Sequence, residues 1–213
     1  MKLVFPPLYA IMDAVLLRTS ELAFAEMMAE SGVELIQYRN KQASSRTLFQ
    51  VSQDLASFLG PYTIRFVVND RPDIAALADA GGVHVGQEDL SVEQARAICG
   101  ATRWVGVSTH TLEQVADAGK TSADYIAVGP IFPTSTKEKP DAVVGVDFIR
   151  GARALTRKPL VAIGGITLER AGDVFHAGAD SVAVARDLLS AADPAARARQ
   201  FLDLAAQVSA EAG

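Results

Sequence analysis

The chain has 213 residues, 49% of them apolar, and a formal net charge of −5, which excludes a general affinity for nucleic acid or membrane surfaces, so any basic patch must be local. One cysteine, Cys99, excludes an internal disulfide and a Cys-rich zinc site. No stretch approaches the roughly 20 apolar residues that span a bilayer, and Met1 to Pro7 carries no signal-peptide pattern, so the expectation is a cytoplasmic protein.

Short β-type apolar runs alternate with helical patterns from end to end. The first run, Leu8–Met12, leads into Asp13-Ala14-Val15 without the glycines of a dinucleotide loop. Ser20 caps a helix that runs to Ser31, before Gly32. Val33–Arg39 is followed by a helix over Ser44–Leu59, and Arg65–Val68 by one over Pro72–Ala80. Val83–Val85 precedes a helix from Ser91 to Cys99, where Ser91 with Gln94 at the third position predicts a capping box. Trp104–Val107 leads to Thr111–Gly119, and Tyr125–Val128 to a long loop and a helix over Val146–Leu155. Leu160–Ile163 leads to Thr167–Ala177, with Thr167 as N-cap, and Ser181–Ala185 to Asp193–Ser209. Gly32, Gly81, Gly119 and Gly178 stand where C-cap glycines belong, and Cys99 reads as a small buried hydrophobe.

The strands are apolar on both faces, as in a parallel sheet covered by helices. Eight βα units predict an α/β fold, a single closed (β/α)₈ TIM barrel, over the alternative of an open doubly wound sheet. No linker or composition shift licenses a second domain, so one domain is expected over residues 1–213.

A barrel of this kind carries its site at the C-terminal ends of the strands. Alternation puts Gln37, Arg39 and Lys41 on one face and Tyr38 and Asn40 on the other. Unpaired cations there are too costly to serve packing, so they read as a grip for an anion. Asn69-Asp70 and Asp89 end the next two strands and offer carboxylates fit for Mg²⁺, which favours an anion that travels with that ion, such as a diphosphate. A second anion site is expected at Gly164-Gly165 and the end of the eighth strand. Gly129 to Lys137 places Thr134, Ser135 and Thr136 before the Lys137 charge, as a lid with Gly129 and Gly145 as hinges. His84 reads as a barrel-interior residue, His110 as a helix cap or substrate contact, and His176 as surface. Ser108 lacks a nucleophile-elbow context. An inventory rich in phosphate binders and poor in bases points to ionic stabilisation of a leaving group.

The segments QYRNK, VVND, GVHVGQEDL, GVSTH, GPIFPTSTK, AIGGI and GADSVAVA, in that order, resemble the thiamine-phosphate synthase family over nearly the whole chain. The resemblance implies a (β/α)₈ barrel that joins a pyrimidinylmethyl diphosphate to hydroxyethylthiazole phosphate, releasing pyrophosphate by a dissociative route. It implies a pyrimidine-diphosphate site of Gln37, Tyr38, Arg39, Asn40, Lys41, Asn69, Ser108 and Lys137, with Lys137, Arg39, Lys41 and Ser108 as the catalytic group. It implies Mg²⁺ on Asp70 and Asp89, and a thiazole-phosphate site of Thr134, Ser135, Thr136, Gly165, Ala185 and Arg186. Arg186 departs from the serine common in the family. Partners are expected to be the two small phosphorylated substrates, without nucleic acid or membrane, and a homo-oligomer stays open. The alternatives are a thiazole tautomerase on the same barrel, which typically lacks the Asn-Asp pair and full cationic set, and a non-catalytic phosphate-ligand binder.

Overall fold

A computed structural model describes residues 5–134 and 142–211. The strands are β1 (Leu8–Asp13), β2 (Leu35–Arg39), β3 (Arg65–Asn69), β4 (Gly82–Val85), β5 (Trp104–Thr109), β6 (Tyr125–Val128), β7 (Leu160–Ile163) and β8 (Ser181–Val184). They alternate with α1 (Glu21–Glu30), α2 (Ser45–Leu59), α3 (Pro72–Leu77), α4 (Val92–Cys99), α5 (Leu112–Lys120), α6 (Asp147–Leu155) and α7 (Leu168–His176). After β8 come the short α8 (Arg186–Leu189) and the long α9 (Pro194–Glu211). All strand pairs are parallel and follow chain order, and β1 returns to β8 with Tyr9 opposite Ala183. The closed (β/α)₈ barrel expected from the eight repeats is therefore present.

Local chemistry sets the element ends. Ser20, Ser44 and Ser91 accept from the N–H groups of Ala23, Thr47 and Gln94, and Gln94 returns the bond to the Ser91 N–H. A second capping box, Thr111 with Gln114, escaped the sequence reading. Thr167 sits at the N-cap of α7 without a side-chain cap bond. β2 starts at Leu35 rather than Val33, because the Val33 N–H donates to Met28 O and closes the end of α1. Gly32 and Gly178 take the left-handed conformation expected of C-caps, with φ of 83° and 105°. Gly119 instead lies inside α5. After α3 the left-handed turn is made by Asp79, at φ 55°, rather than by Gly81. α8 was not anticipated, since four residues give too little periodicity to read.

The strands separate two apolar compartments. Met12, Ile36, Val68 and Val105 face the helices in the larger one, where Cys99 is also buried. Tyr9, Leu35, Val67, Tyr125 and Val161 fill the barrel interior. Phe5 stacks on Trp104 with ring centroids 5.2 Å apart and touches Tyr125 at the same distance, while Arg65 lies 4.0 Å above the Trp104 ring. Trp104 and Arg65 open their strands, so this aromatic and cationic plug closes the N-terminal end of the barrel. Asp124 and Asp180, each one residue before a strand, accept from the Val105 and Leu160 N–H groups at 2.7 and 2.8 Å and pair with Arg96 and Arg153. These bonds pin the strand starts and leave the opposite end of the barrel open for a site. Among the described residues no helix is long and apolar enough to cross a membrane.

Candidate active site

The open end holds a cavity of about 510 Å³, lined by inward-facing residues of all the strands that reach it and by the loop ends beyond β6, β7 and β8. Its floor is polar although its walls are not. Gln37 Nε2 donates to the Tyr9 hydroxyl at 2.7 Å, and that hydroxyl lies 2.9 Å from the hydroxyl of Tyr125. His84 Nδ1 is 3.1 Å from the Tyr125 hydroxyl and His84 Nε2 is 2.9 Å from Ser108 Oγ. Burial raises the pKa of both phenols well above the ordinary tyrosine value, so both keep their protons. The Tyr125 ring fits only because its register neighbour on β5 is Gly106, where a Cβ would lie 2.0 Å from the ring.

Next to this floor, β2 delivers Arg39. Its guanidinium is paired with Asp13 at the end of β1, a carboxylate that is almost wholly buried and also accepts from the Val15 N–H at 3.0 Å. The sequence reading took the Arg39 charge as unpaired; the register of β1 on β2, Asp13 opposite Arg39, supplies its partner. Lys41 lies further out, largely exposed, with Nζ 3.0 Å from Asp70.

Asp70 and Asp89 come together at the rim. Asp70 turns out of β3 in the left-handed conformation, φ 62°, with its N–H donating to His84 O at 2.7 Å. Asp89 accepts from the Gly86 N–H at 2.7 Å. Burial, first, and then the charge and hydrogen-bonding contact of Asp70 hold the Asp89 carboxyl above its usual pKa, against the lowering effect of the Gly86 bond. Two carboxylates held in contact at a strand edge are a donor set that a hard cation relieves. Among the described residues no group of three or more His, Cys, Asp or Glu side chains forms a cage. A pair of carboxylates suits a hard divalent cation that takes one or two carboxylates and completes its shell with water and phosphate oxygens.

The far side of the cavity is formed by the ends of β7 and β8. Gly164 and Gly165 have φ of 98° and 61°, and a Cβ on Gly165 would meet Pro133 O at 2.4 Å. The glycine pair thus seats the loop after β6, whose Ile131 and Phe132 N–H groups donate to Ile163 O and Gly164 O. Ala185 caps α8, and Arg186 begins it and lines the cavity. Arg170 donates to Gly165 O at 2.8 Å and lies 4.8 Å above the Phe132 ring.

Gln37, Arg39, Asn69, Ser108, Thr134, Gly165, Ala185 and Arg186 all line the cavity, while Lys41, Asp70 and Asp89 gather at its rim. Tyr38 and Asn40 are not brought to it. Tyr38 is buried under the helices with its hydroxyl 3.3 Å from Glu21, and Asn40 donates to that hydroxyl while its carbonyl accepts from the Gln42 and Ala43 N–H groups. Ser135, Thr136 and Lys137 lie outside the described residues. His110 lines the cavity with Nδ1 2.6 Å from Gly129 O, His84 is interior, and His176 is exposed. The sequence reading passed over Arg170 and Tyr125. Arg170, five residues after Gly165, carried a weak signal; Tyr125 carried one only through its pairing with Gly106.

A family model described as thiamine monophosphate synthase matches residues 8–188. The thiamine-phosphate synthase of Koribacter versatilis is 50% identical over 204 residues, covering 93% of this chain and 95% of that protein. That of Methanospirillum hungatei is 40% identical over 198 residues, 92% of this chain and 96% of its own. Among solved structures, a thiamine phosphate pyrophosphorylase from Pyrococcus furiosus superposes with a TM-score of 0.86 at 32% identity, covering 95% of this chain and 96% of that one.

Proposed function

The chain belongs to the thiamine monophosphate synthase family, and we propose that it carries out the family's condensation with the barrel-floor residues and the rim carboxylates in the roles assigned below. The reaction joins 4-amino-2-methyl-5-(diphosphooxymethyl)pyrimidine to hydroxyethylthiazole phosphate, giving thiamine monophosphate and pyrophosphate in thiamine biosynthesis. The enzyme is a transferase. The observation that carries the activity is the 50% identity to a thiamine-phosphate synthase over 95% of that protein.

Charge develops on the diphosphate as its C–O bond breaks, so groups that hold the anion more tightly late in the reaction speed it. Arg39 at the end of β2 and Lys41 just beyond it are assigned to that charge, with Ser108 from β5 and Lys137 from the loop after β6. Asp70 and Asp89 would hold Mg²⁺, which supplies neutralisation of diphosphate oxygens when bound. Gln37 and Asn69 orient the pyrimidine end. The cavity's apolar walls exclude water from a cationic fragment that water would otherwise trap. Thr134, Ser135, Thr136, Gly165, Ala185 and Arg186 are assigned to the thiazole phosphate, whose ring nitrogen must approach the opposite face of the reacting carbon. Tyr38 and Asn40 are left out of contact roles, because their side chains face the helices. Small phosphorylated heterocycles suffice as partners, and a cytoplasmic setting suits a chain without a membrane-spanning helix among its described residues.

Purified protein mixed with both phosphorylated heterocycles and Mg²⁺ is expected to form thiamine monophosphate and pyrophosphate in equal amounts. Asp70→Ala is expected to abolish turnover while keeping the fold, since Asp70 sits on a loop. Unchanged activity of that variant, or of the wild type in excess chelator, refutes the metal assignment; no thiamine monophosphate from the wild type refutes the activity.

A further inference from the structure

The five polar groups on the cavity floor form one continuous chain, and their donor and acceptor capacities give it a single direction. Gln37 Nε2 donates to the Tyr9 oxygen. Tyr9 is fully buried, and among the described residues its own proton has one acceptor left, the Tyr125 hydroxyl oxygen at 2.9 Å. Tyr125, also fully buried, then directs its proton to His84 Nδ1 at 3.1 Å. An imidazole nitrogen that accepts is bare, so the ring's proton sits on Nε2 and is donated to Ser108 Oγ at 2.9 Å. Ser108 Oγ, already accepting, presents its hydrogen to the cavity that Ser108 lines.

We propose that Tyr125, with Tyr9 behind it, is a positioning residue that fixes His84 as the Nε2–H tautomer and thereby makes the Ser108 hydroxyl a committed donor toward the leaving diphosphate. The functional half of this inference rests on the placement of Ser108 at the diphosphate given above. A diphosphate offers only acceptors, so a Ser108 hydroxyl turned back to donate to a bare Nε2 would meet it lone pair to lone pair. The chain removes that orientation before substrate arrives, which is how preorganised donors act. Both phenols hold their protons because burial raises their pKa, and that protonation is what gives each link a donor. Gly106 is part of the device, since any Cβ there would displace the Tyr125 ring that carries the middle link.

The test begins with the ¹⁵N spectrum of histidine-labelled protein at neutral pH. The chain has three histidines, and the His84 signals are identified by their loss in His84→Asn. The expected result is a protonated Nε2 and a bare Nδ1 in the wild type, with the preference lost or mixed in Tyr125→Phe. The opposite tautomer, or a doubly protonated ring, overturns the proposal. In turnover assays Tyr125→Phe and Ser108→Ala are each expected to lower kcat about tenfold with little change in KM, and the double variant to be no slower than Ser108→Ala alone. Multiplying losses overturn the link between the two residues. An unchanged kcat in Ser108→Ala, with the tautomer as stated, overturns the proposal through its premise, the placement of Ser108 on the diphosphate. Tyr9→Phe, which keeps the ring and removes the preceding link, is expected to reproduce the tautomer change of Tyr125→Phe.

Discussion

Replacing Asp13 by Asn tests whether the charge of Arg39 is held in reserve for an anionic substrate. The Asp13 side chain is 2% exposed and that of Arg39 17%. Removing one partner of a fully buried pair costs about 3–5 kcal/mol because the other charge is stranded. Two features lower that figure here. Asn keeps an oxygen for the Val15 N–H, so no backbone donor is orphaned. The guanidinium also borders the cavity and gains access to its water. The expected loss is therefore about 2–3 kcal/mol, which for a chain of this length lowers Tm by about 4–12 °C. Pyrophosphate with Mg²⁺ can replace the missing carboxylate, so it should raise Tm more in the variant than in the wild type. A thermal melt with and without that ligand reads both effects. A loss below about 2 °C, or a smaller ligand-induced rise in the variant, would show that Asp13 does not balance Arg39 against an anion.

Gly106→Ala is expected to cost about 3 kcal/mol or more and to lower activity at least tenfold, because the Tyr125 ring it would strike is held by Phe5, Tyr9 and His84; a melt and rate near wild type would contradict the packing. Asp89→Asn should show opposite effects on stability and activity. The folded-state pKa of Asp89 is raised, so its ionised form opposes folding above that pKa, and the opposition fades as pH falls through it. The substitution should therefore stabilise the metal-free protein at neutral pH by a few tenths of a kcal/mol at this solvent-exposed rim, with the gain vanishing in acid, while Mg²⁺-dependent turnover drops about tenfold or more. Destabilisation at neutral pH, or full turnover, would count against the carboxylate contact. Arg186→Ser should change KM for the thiazole phosphate by no more than about threefold, and a loss of about a hundredfold would make the arginine a direct bidentate ligand.

Much of this architecture was legible in the sequence, because a βα repeat writes its period into every unit. The strand runs were located to within two residues at each end, and the cluster of polar residues at their C-terminal ends followed from the barrel frame alone. Lys41, Asp70 and Asp89 could be grouped because they end neighbouring strands. The same alternation that turned Gln37 and Arg39 inward turned Tyr38 and Asn40 outward, so drawing those two into the site followed motif resemblance against the strand period. What the sequence hid was pairing across distance. Asp13 and Arg39 are 26 residues apart and Tyr125 and His84 41 apart, and only strand register makes them neighbours. A glycine such as Gly106 carries no sign of its purpose until the ring opposite it is known.

The charges at the mouth explain why a metal and a diphosphate would enter together. Arg39 and Lys41 bring two positive charges, whereas Asp13, Asp70 and Asp89 bring three negative ones when ionised. Among the described residues that end of the cavity therefore does not attract a free diphosphate, and its one well-buried cation is already matched. A divalent cation held between Asp70 and Asp89, as proposed, would reverse the sign of that cluster and relieve the Asp70 contact that, after burial, raises the Asp89 pKa. The proposed diphosphate would then meet a positive mouth with Arg39 behind it and the Ser108 donor turned outward. On the proposed reading, the carboxylates that would weaken binding of a bare anion are the ones that would recruit the divalent charge its bond cleavage needs.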